Sequence, residues 1–201
     1  MAGSIRRSRE PRRAAQRRFR PTANTAVLSV DGLRLRAAWT NSGICAVDEE
    51  SLSTRRALEH RLRMILVDAK VPAALRQALA TAARGKGDDF PLDLAWARDF
   101  ERDVLLAARE IPYGETRSYG WLARQARRPL AVRAAATVMA RNPLWLIIPC
   151  HRVVYADGRL GPYGSSGQTR KRELLEREGV KLDSPRHADR KRSSARPRTT
   201  R

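Results

Sequence analysis

A chain of 201 residues, 42% of them hydrophobic, is long enough for one large domain or two small ones with a real core. No apolar run is long enough to span a bilayer, and the Arg-rich N-terminus has no apolar segment behind it, so neither a membrane anchor nor a signal peptide is read and a cytoplasmic location is expected, or a nuclear one in a eukaryote. The formal net charge of +20 points instead to a polyanionic partner, most simply nucleic acid.

That charge is concentrated at the two ends. Residues 1–20 carry eight Arg against Glu10, and residues 181–201 carry eight Lys or Arg against Asp183 and Asp189. Rich in Ser, Pro and Arg, 1–20 and 182–201 are read as disordered basic tails, either solubilising extensions or additional holds on DNA. Cys45 and Cys150 stand far apart and offer no disulfide framework; with His60, His151 and His187 they form no zinc-ligand spacing, so no cofactor is expected.

From Thr25 to Val30, Leu33 to Trp39 and Ile44 to Val47 the sequence reads as three short strands. Asp31-Gly32 signals a hairpin and Asn41-Ser42-Gly43 a turn, which makes an antiparallel meander. The spacing predicts helices over 57–66, with Leu58, Leu62 and Ile65 inward, and over 72–84, opened by Pro72 and followed by Gly85. The run Gly85-Lys86-Gly87-Asp88-Asp89 reads as a linker, dividing an N-terminal α/β domain at 21–87 from a C-terminal domain at 88–181. The fold class expected is therefore α/β in the looser α+β sense: a small sheet with helices, then a mainly helical half.

In that second half Phe100, Val104, Ala107, Ala108 and Ile111 mark a helical face within 96–110, ended by Pro112. Residues 118–126 form a short helix, Arg127-Arg128-Pro129 breaks it, and a second helix runs over about 130–141 with Val132, Ala135, Ala136 and Met139 inward. This pattern resembles a helix-turn-helix. Small residues at 131, 134, 135 and 136 surround Arg133, and a helix that narrow can press close to a backbone or into a minor groove.

The candidate site is the stretch Ile147-Ile148-Pro149-Cys150-His151-Arg152-Val153-Val154. Bulky, β-branched runs over 144–148 and 153–155 read as strand-like segments on either side of a bend at Pro149. A cysteine alone is usually structural; a neighbouring imidazole able to take its proton points to a nucleophile, because only the thiolate attacks well. Cys45, within an apolar strand, reads as core.

Ile111-Pro112-Tyr113-Gly114-Glu115-Thr116, Ser118-Tyr119-Gly120, Asn142-Pro143, Ile148-Pro149-Cys150-His151-Arg152-Val153, and Leu174-Leu175 with Glu178-Gly179 occur in this order. Over about residues 90–181 this resembles the O6-alkylguanine-DNA alkyltransferases, also called methylated-DNA-protein-cysteine S-methyltransferases. The resemblance implies direct, single-use transfer of an alkyl group from guanine O6, with O4 of thymine as a further donor position, onto Cys150. It implies that His151 draws off the thiol proton through a water, that Glu178 orients the imidazole, and that Asn142 organises the turn between helix and reactive loop.

The same resemblance makes Tyr119 the phenol that crowds the target phosphate and donates to the guanine ring, and Arg133 the finger that fills the space left by the extruded base. Ala134, Ala136 and Met139 would lie along the DNA, while Val153, Tyr163, Gly164 and Ser165 would line the base pocket. The partner implied is double-stranded DNA containing O6-alkylguanine, bound by a monomer, with no membrane and no metal. Arg152 reads as a structural pair near the site. Two departures stand out: Ala136-Thr137 replaces a glycine seen in many relatives, and the loop after Tyr163 reads Gly164-Ser165-Ser166-Gly167. Two rival classes stand beside this reading. A non-enzymatic alkylated-DNA recognition protein would lack the acceptor thiol, and a cationic DNA-coating protein would bind without transfer. A cysteine hydrolase is disfavoured because nothing marks an oxyanion hole.

Overall fold

The computed structural model describes residues 20–85, 90–163 and 167–182. The linker at 86–89, both tails, and Gly164 and Ser165 therefore lie outside the described residues. Strands β1 (Thr22–Val30), β2 (Leu33–Thr40) and β3 (Gly43–Glu49) form the expected meander, with Leu28 opposite Leu35 and Ala38 opposite Ala46. Asp31 at φ 45° and Gly32 at φ 80° make the hairpin turn; both sit in the left-handed region, the geometry whose twist matches the flanking strands.

The first helix corrects the sequence reading. Helix α1 (Thr54–Leu62) ends at Arg63, whose φ of 57° is left-handed, and Ile65 leaves the helix to begin strand β4 (Ile65–Asp68). β4 pairs in parallel with β1, Thr22 against Ile65 and Thr25 against Asp68, giving the sheet order β3-β2-β1-β4. Apolar residues at 62, 65 and 66 continue a helical spacing on paper. The free edge of β1 takes the last of them into a strand, and a backbone partner outweighs local propensity. Helix α2 (Ala73–Ala83) buries Leu75, Ala78 and Leu79.

The outer edge of β3 is covered by the second half of the chain. Ile44 N–H donates to Pro91 O at 2.9 Å, Asp93 N–H donates back to Ile44 O at 2.9 Å, and Val47 N–H donates to Pro143 O at 2.6 Å. These bonds satisfy an edge that would otherwise be open, and they fix residues 142–143, next to the candidate site, against the sheet.

Helix α3 (Asp99–Arg109) turns Val104, Leu105 and Ala108 inward. Strand β5 (Arg117–Ser118) leads into α4 (Tyr119–Gln125), which Ser118 caps by accepting Trp121 N–H at 3.0 Å. After a turn with Arg127 at φ 57° comes α5 (Val132–Ala140), completing the helix-turn-helix. The buried face of α5 is Ala135, Val138 and Met139; Val132 is exposed and Ala136 half-buried, a rotation from the face expected in sequence.

The run at 144–148 is a series of turns rather than a strand, since no neighbouring strand pairs with it. Residues Cys150–Arg152 form one turn of 3₁₀ helix, and only Val153–Val154, β6, is a strand, pairing in parallel with β5. Helix α6 (Gly167–Arg177) covers this turn. One hydrophobic core joins the sheet to the helices, from Leu35 and Leu79 through Leu105 and Leu122 to Ile148, Cys150 and Val153. Each such fully buried Leu contributes about 1.5–3 kcal/mol over an exposed one, so the turn bearing Cys150 rests on well-packed hydrocarbon. No helix among the described residues is long and apolar enough to cross a membrane.

Candidate active site

Cys150 opens the 3₁₀ turn and is 6% exposed. Burial pushes its thiol above the usual range, while a hydrogen bond with the Asn142 side chain, the Lys171 charge and nearby backbone amides pull the other way. The resting group is therefore a thiol that needs a base at the moment of reaction.

His151 supplies the candidate. Burial holds its imidazole below the ordinary value, against the upward pull of Glu178 and with the help of the charges on Arg152 and Lys171, so the ring is neutral. Its Nε2 lies 2.8 Å from Glu178 Oε1. The carboxylate only accepts, so Nε2 carries the hydrogen and Nδ1 holds the free lone pair. Nδ1 is buried and has no hydrogen-bond partner among the described residues. A buried lone pair without a partner among the described residues, on the residue that follows the cysteine in the chain, is available to receive a proton, directly or through one water.

Glu178 is held from several sides. Arg152 Nε donates to Oε2 at 2.9 Å and Nη2 to Oε1 at 2.9 Å, and Gly114 N–H donates to Oε2 at 3.1 Å. Burial alone would raise its pKa, but the bonds from His151 and Arg152 and the Gly114 amide prevail and lower it to about 2. Arg152 Nη1 donates to Ile111 O at 2.8 Å, and the guanidinium lies over the Tyr113 ring. It ties the end of α3 to the site.

Asn142 follows α5 and is buried. Its Nδ2 donates to Ile148 O at 3.1 Å and its Oδ1 accepts Leu144 N–H at 2.9 Å, which braces the turns that carry Cys150. Tyr119, at the start of α4, is 4% exposed; burial first, then the neighbouring Tyr155 and Cys150, push its phenol up to about 12, so it remains a donor. A Cβ at position 161 would come within 2.3 Å of Tyr119 Oη, so only glycine leaves room for that hydroxyl. Tyr163 stands edge-on to His151 at 6.5 Å, with its own hydroxyl buried and without a partner among the described residues.

The remaining expected residues divide by exposure. Arg133 and Ala134 are exposed on α5 and Ala136 is half-buried there. Met139 is packed in the core at 5% exposure, where the helical spacing put it, so it anchors α5 and does not stand along the open face that the resemblance implied. Val153 is wholly buried within β6, where its carbonyl accepts from Lys171.

Lys171 is the residue that sequence reasoning missed. Fully buried on α6, it donates through Nζ to Val153 O at 2.5 Å and lies 5.8 Å from the centre of the Tyr119 ring. Burial lowers its pKa to about 8, with Cys150 opposing. In sequence it hides in Arg170-Lys171-Arg172, which reads as solvated charge. The available signal was spacing: Lys171, Leu175 and Glu178 recur at i, i+4 and i+7, one inward face.

Residues 99–180 match the family model for the DNA-binding domain of 6-O-methylguanine DNA methyltransferase. A methylated-DNA–protein-cysteine methyltransferase of Methanosarcina acetivorans is 38% identical over 143 residues, 68% of this chain and 90% of that protein. The Mycobacterium tuberculosis protein of the same name is 50% identical over 90 residues, 45% of this chain and 53% of its own, so the match spans about half the length of that relative. A crystal structure of Mycobacterium tuberculosis OGT in complex with DNA superposes with a TM-score of 0.58 at 33% identity, covering 78% of this chain and 92% of that one. With a thiol, an oriented imidazole and a helix-turn-helix joined in one core, and with a relative matched over nine-tenths of its length, the chain belongs to the methylated-DNA–protein-cysteine methyltransferase family.

Proposed function

We propose that this chain, as a monomer, repairs duplex DNA by moving a methyl or other alkyl group from O6 of guanine to Cys150 Sγ. The bond between O6 and the alkyl carbon breaks, an S–C bond forms, the thiol proton passes to His151 Nδ1, and the released guanine regains a proton at its ring. Tyr119, still a phenol and near enough to Cys150 to feel its charge, is the donor assigned to that last step, its proton being restored from the one held on His151. The thioether has no easy leaving path, so each molecule acts once.

The observation that carries this reading is the orphaned Nδ1 of His151, its tautomer set by Glu178, next to a cysteine that Asn142 also touches. A second support is placement: the site lies on the turns that follow α5, and the mycobacterial relative has been crystallised with DNA. In the test, the chain is incubated with an oligonucleotide duplex containing O6-methylguanine and its intact mass is measured. A stoichiometric gain of one methyl, mapped to Cys150, is expected. DNA binding with no gain in mass would leave a recognition protein instead.

Arg133 stands exposed on the narrow face of α5, among Ala134 and Ala136. A base inside a stacked duplex is out of reach of a buried thiol, and extruding it costs a few kcal/mol. Arg133→Ala is expected to slow repair of duplex substrate by about 10-fold or more, equivalent to roughly 1.4 kcal/mol, while transfer from the free alkylated base keeps its rate. Equal losses on both substrates would remove the finger role.

A further inference from the structure

Along one flank of α5 runs a groove of about 770 Å³ that the chemistry above does not use. Its cationic wall consists of Arg61 and Arg63 at the end of α1, Arg98 before α3, Arg128 between α4 and α5, and Arg141 after α5. Ala134, Thr137, Val138 and Arg141 form the α5 side, at i, i+3, i+4 and i+7, so the groove follows that helix lengthwise.

Two carboxylates also line it, and both are taken: Glu101 pairs with Arg61, and Asp99 accepts from Arg102 at 2.7 Å. Arg63, Arg98, Arg128 and Arg141 are exposed, and none has an acidic partner among the described residues. Arg61 has a different task. Its Nε donates to Arg141 O at 3.3 Å and its guanidinium lies 4.7 Å from the Trp96 ring, so it locks the end of α1 against the end of α5. Arg128 is steadied over Phe100 at 5.7 Å. The result is four unneutralised guanidinium groups, drawn from both halves of the chain, around one channel.

A narrow helix seated in a minor groove has one sugar-phosphate strand along each flank. Guanidinium forks match phosphate oxygens in shape as well as charge. Resting on the DNA-repair reading above, we propose that this groove is a phosphodiester-strand site. It holds the backbone of one strand of the bound duplex, and Arg63 and Arg98 bring the sheet-bearing half and the start of α3 into that contact. The footprint on DNA is thereby wider than the helix-turn-helix.

The test is duplex affinity as a function of salt for the full chain, on an unmodified duplex, with Arg63→Gln, Arg98→Gln and, as a control for charge alone, Arg34→Gln on β2. Each lost phosphate contact lowers the slope of log K against log salt by about 0.9 in magnitude, so the two groove variants should each lose about that much and Arg34→Gln almost nothing. Methyl uptake from an O6-methylguanine duplex by the wild type is measured alongside. Unchanged slopes in both groove variants, or an equal fall in Arg34→Gln, would overturn the strand site even where the wild type takes up methyl. Slopes that fall as expected while the wild type takes up none would support the strand site and sink the repair reading instead.

Discussion

Cys150→Ala is expected to abolish alkyl uptake entirely while leaving the fold and duplex binding in place. The side chain is buried in the core that supports the reactive turn, and removing one sulfur leaves a small void costing about 1 kcal/mol. The braces of that turn belong to other residues: Asn142 to Ile148 and Leu144, Lys171 to Val153, and Arg152 to Ile111. No second thiol can take over. Cys45 is wholly buried in β3, and burial, with the Asp93 charge, pushes its pKa up to about 12. Intact mass after incubation with O6-methylguanine duplex should therefore show no adduct, and a gel shift should show the complex persisting. An adduct in the variant would place the acceptor elsewhere and remove the central claim.

Glu178→Gln should be nearly as damaging, for two separable reasons. The carboxylate orients His151, and loss of that base is worth about 10²–10⁴ in rate; the amide can present either a donor or an acceptor to Nε2 and no longer imposes one tautomer. It is also the counterion of Arg152, whose side chain is only 10% exposed. A buried charge stripped of its partner costs about 3–5 kcal/mol. Single-turnover transfer should slow by about 100-fold or more, and the urea midpoint at neutral pH should fall.

Acid provides the check on mechanism. The Glu178 pKa is depressed in the folded chain from an ordinary 4.5 to about 2, so the unfolded chain binds the proton more readily. Stability from this group, about 3 kcal/mol, is fully present above the unfolded value and lost as pH falls from about 4.5 towards 2. The gap in stability between wild type and Glu178→Gln should shrink across that window. A gap that stays constant down to pH 2 would show that the carboxylate charge does not stabilise the fold.

Features set by near neighbours could be read without a structure. Asp31-Gly32 closes a hairpin because its two residues tolerate the required backbone. Cys150 and His151 are adjacent by covalent chemistry, so a nucleophile with a candidate base was visible at once. Where the reading failed, a distant partner decided. Ile65 to Asp68 became a strand because β1 offered an edge, and 144–148 did not because none was offered. Val138 went inside and Val132 stayed out because α5 is rotated where it packs on the core.

What the amino-acid order settled unaided is the reagent and its local frame: one thiol, one imidazole beside it, a proline bend before them and two short helices ahead. Tertiary structure alone decided their charge states and their company. Glu178 lies 27 residues from His151, Lys171 sits in a run of charges that looks solvated, and the arginines of the α5 groove come from four separate segments. Proton affinity depends on burial and on which charges lie within a few ångströms, and those are properties of packing rather than of chain order.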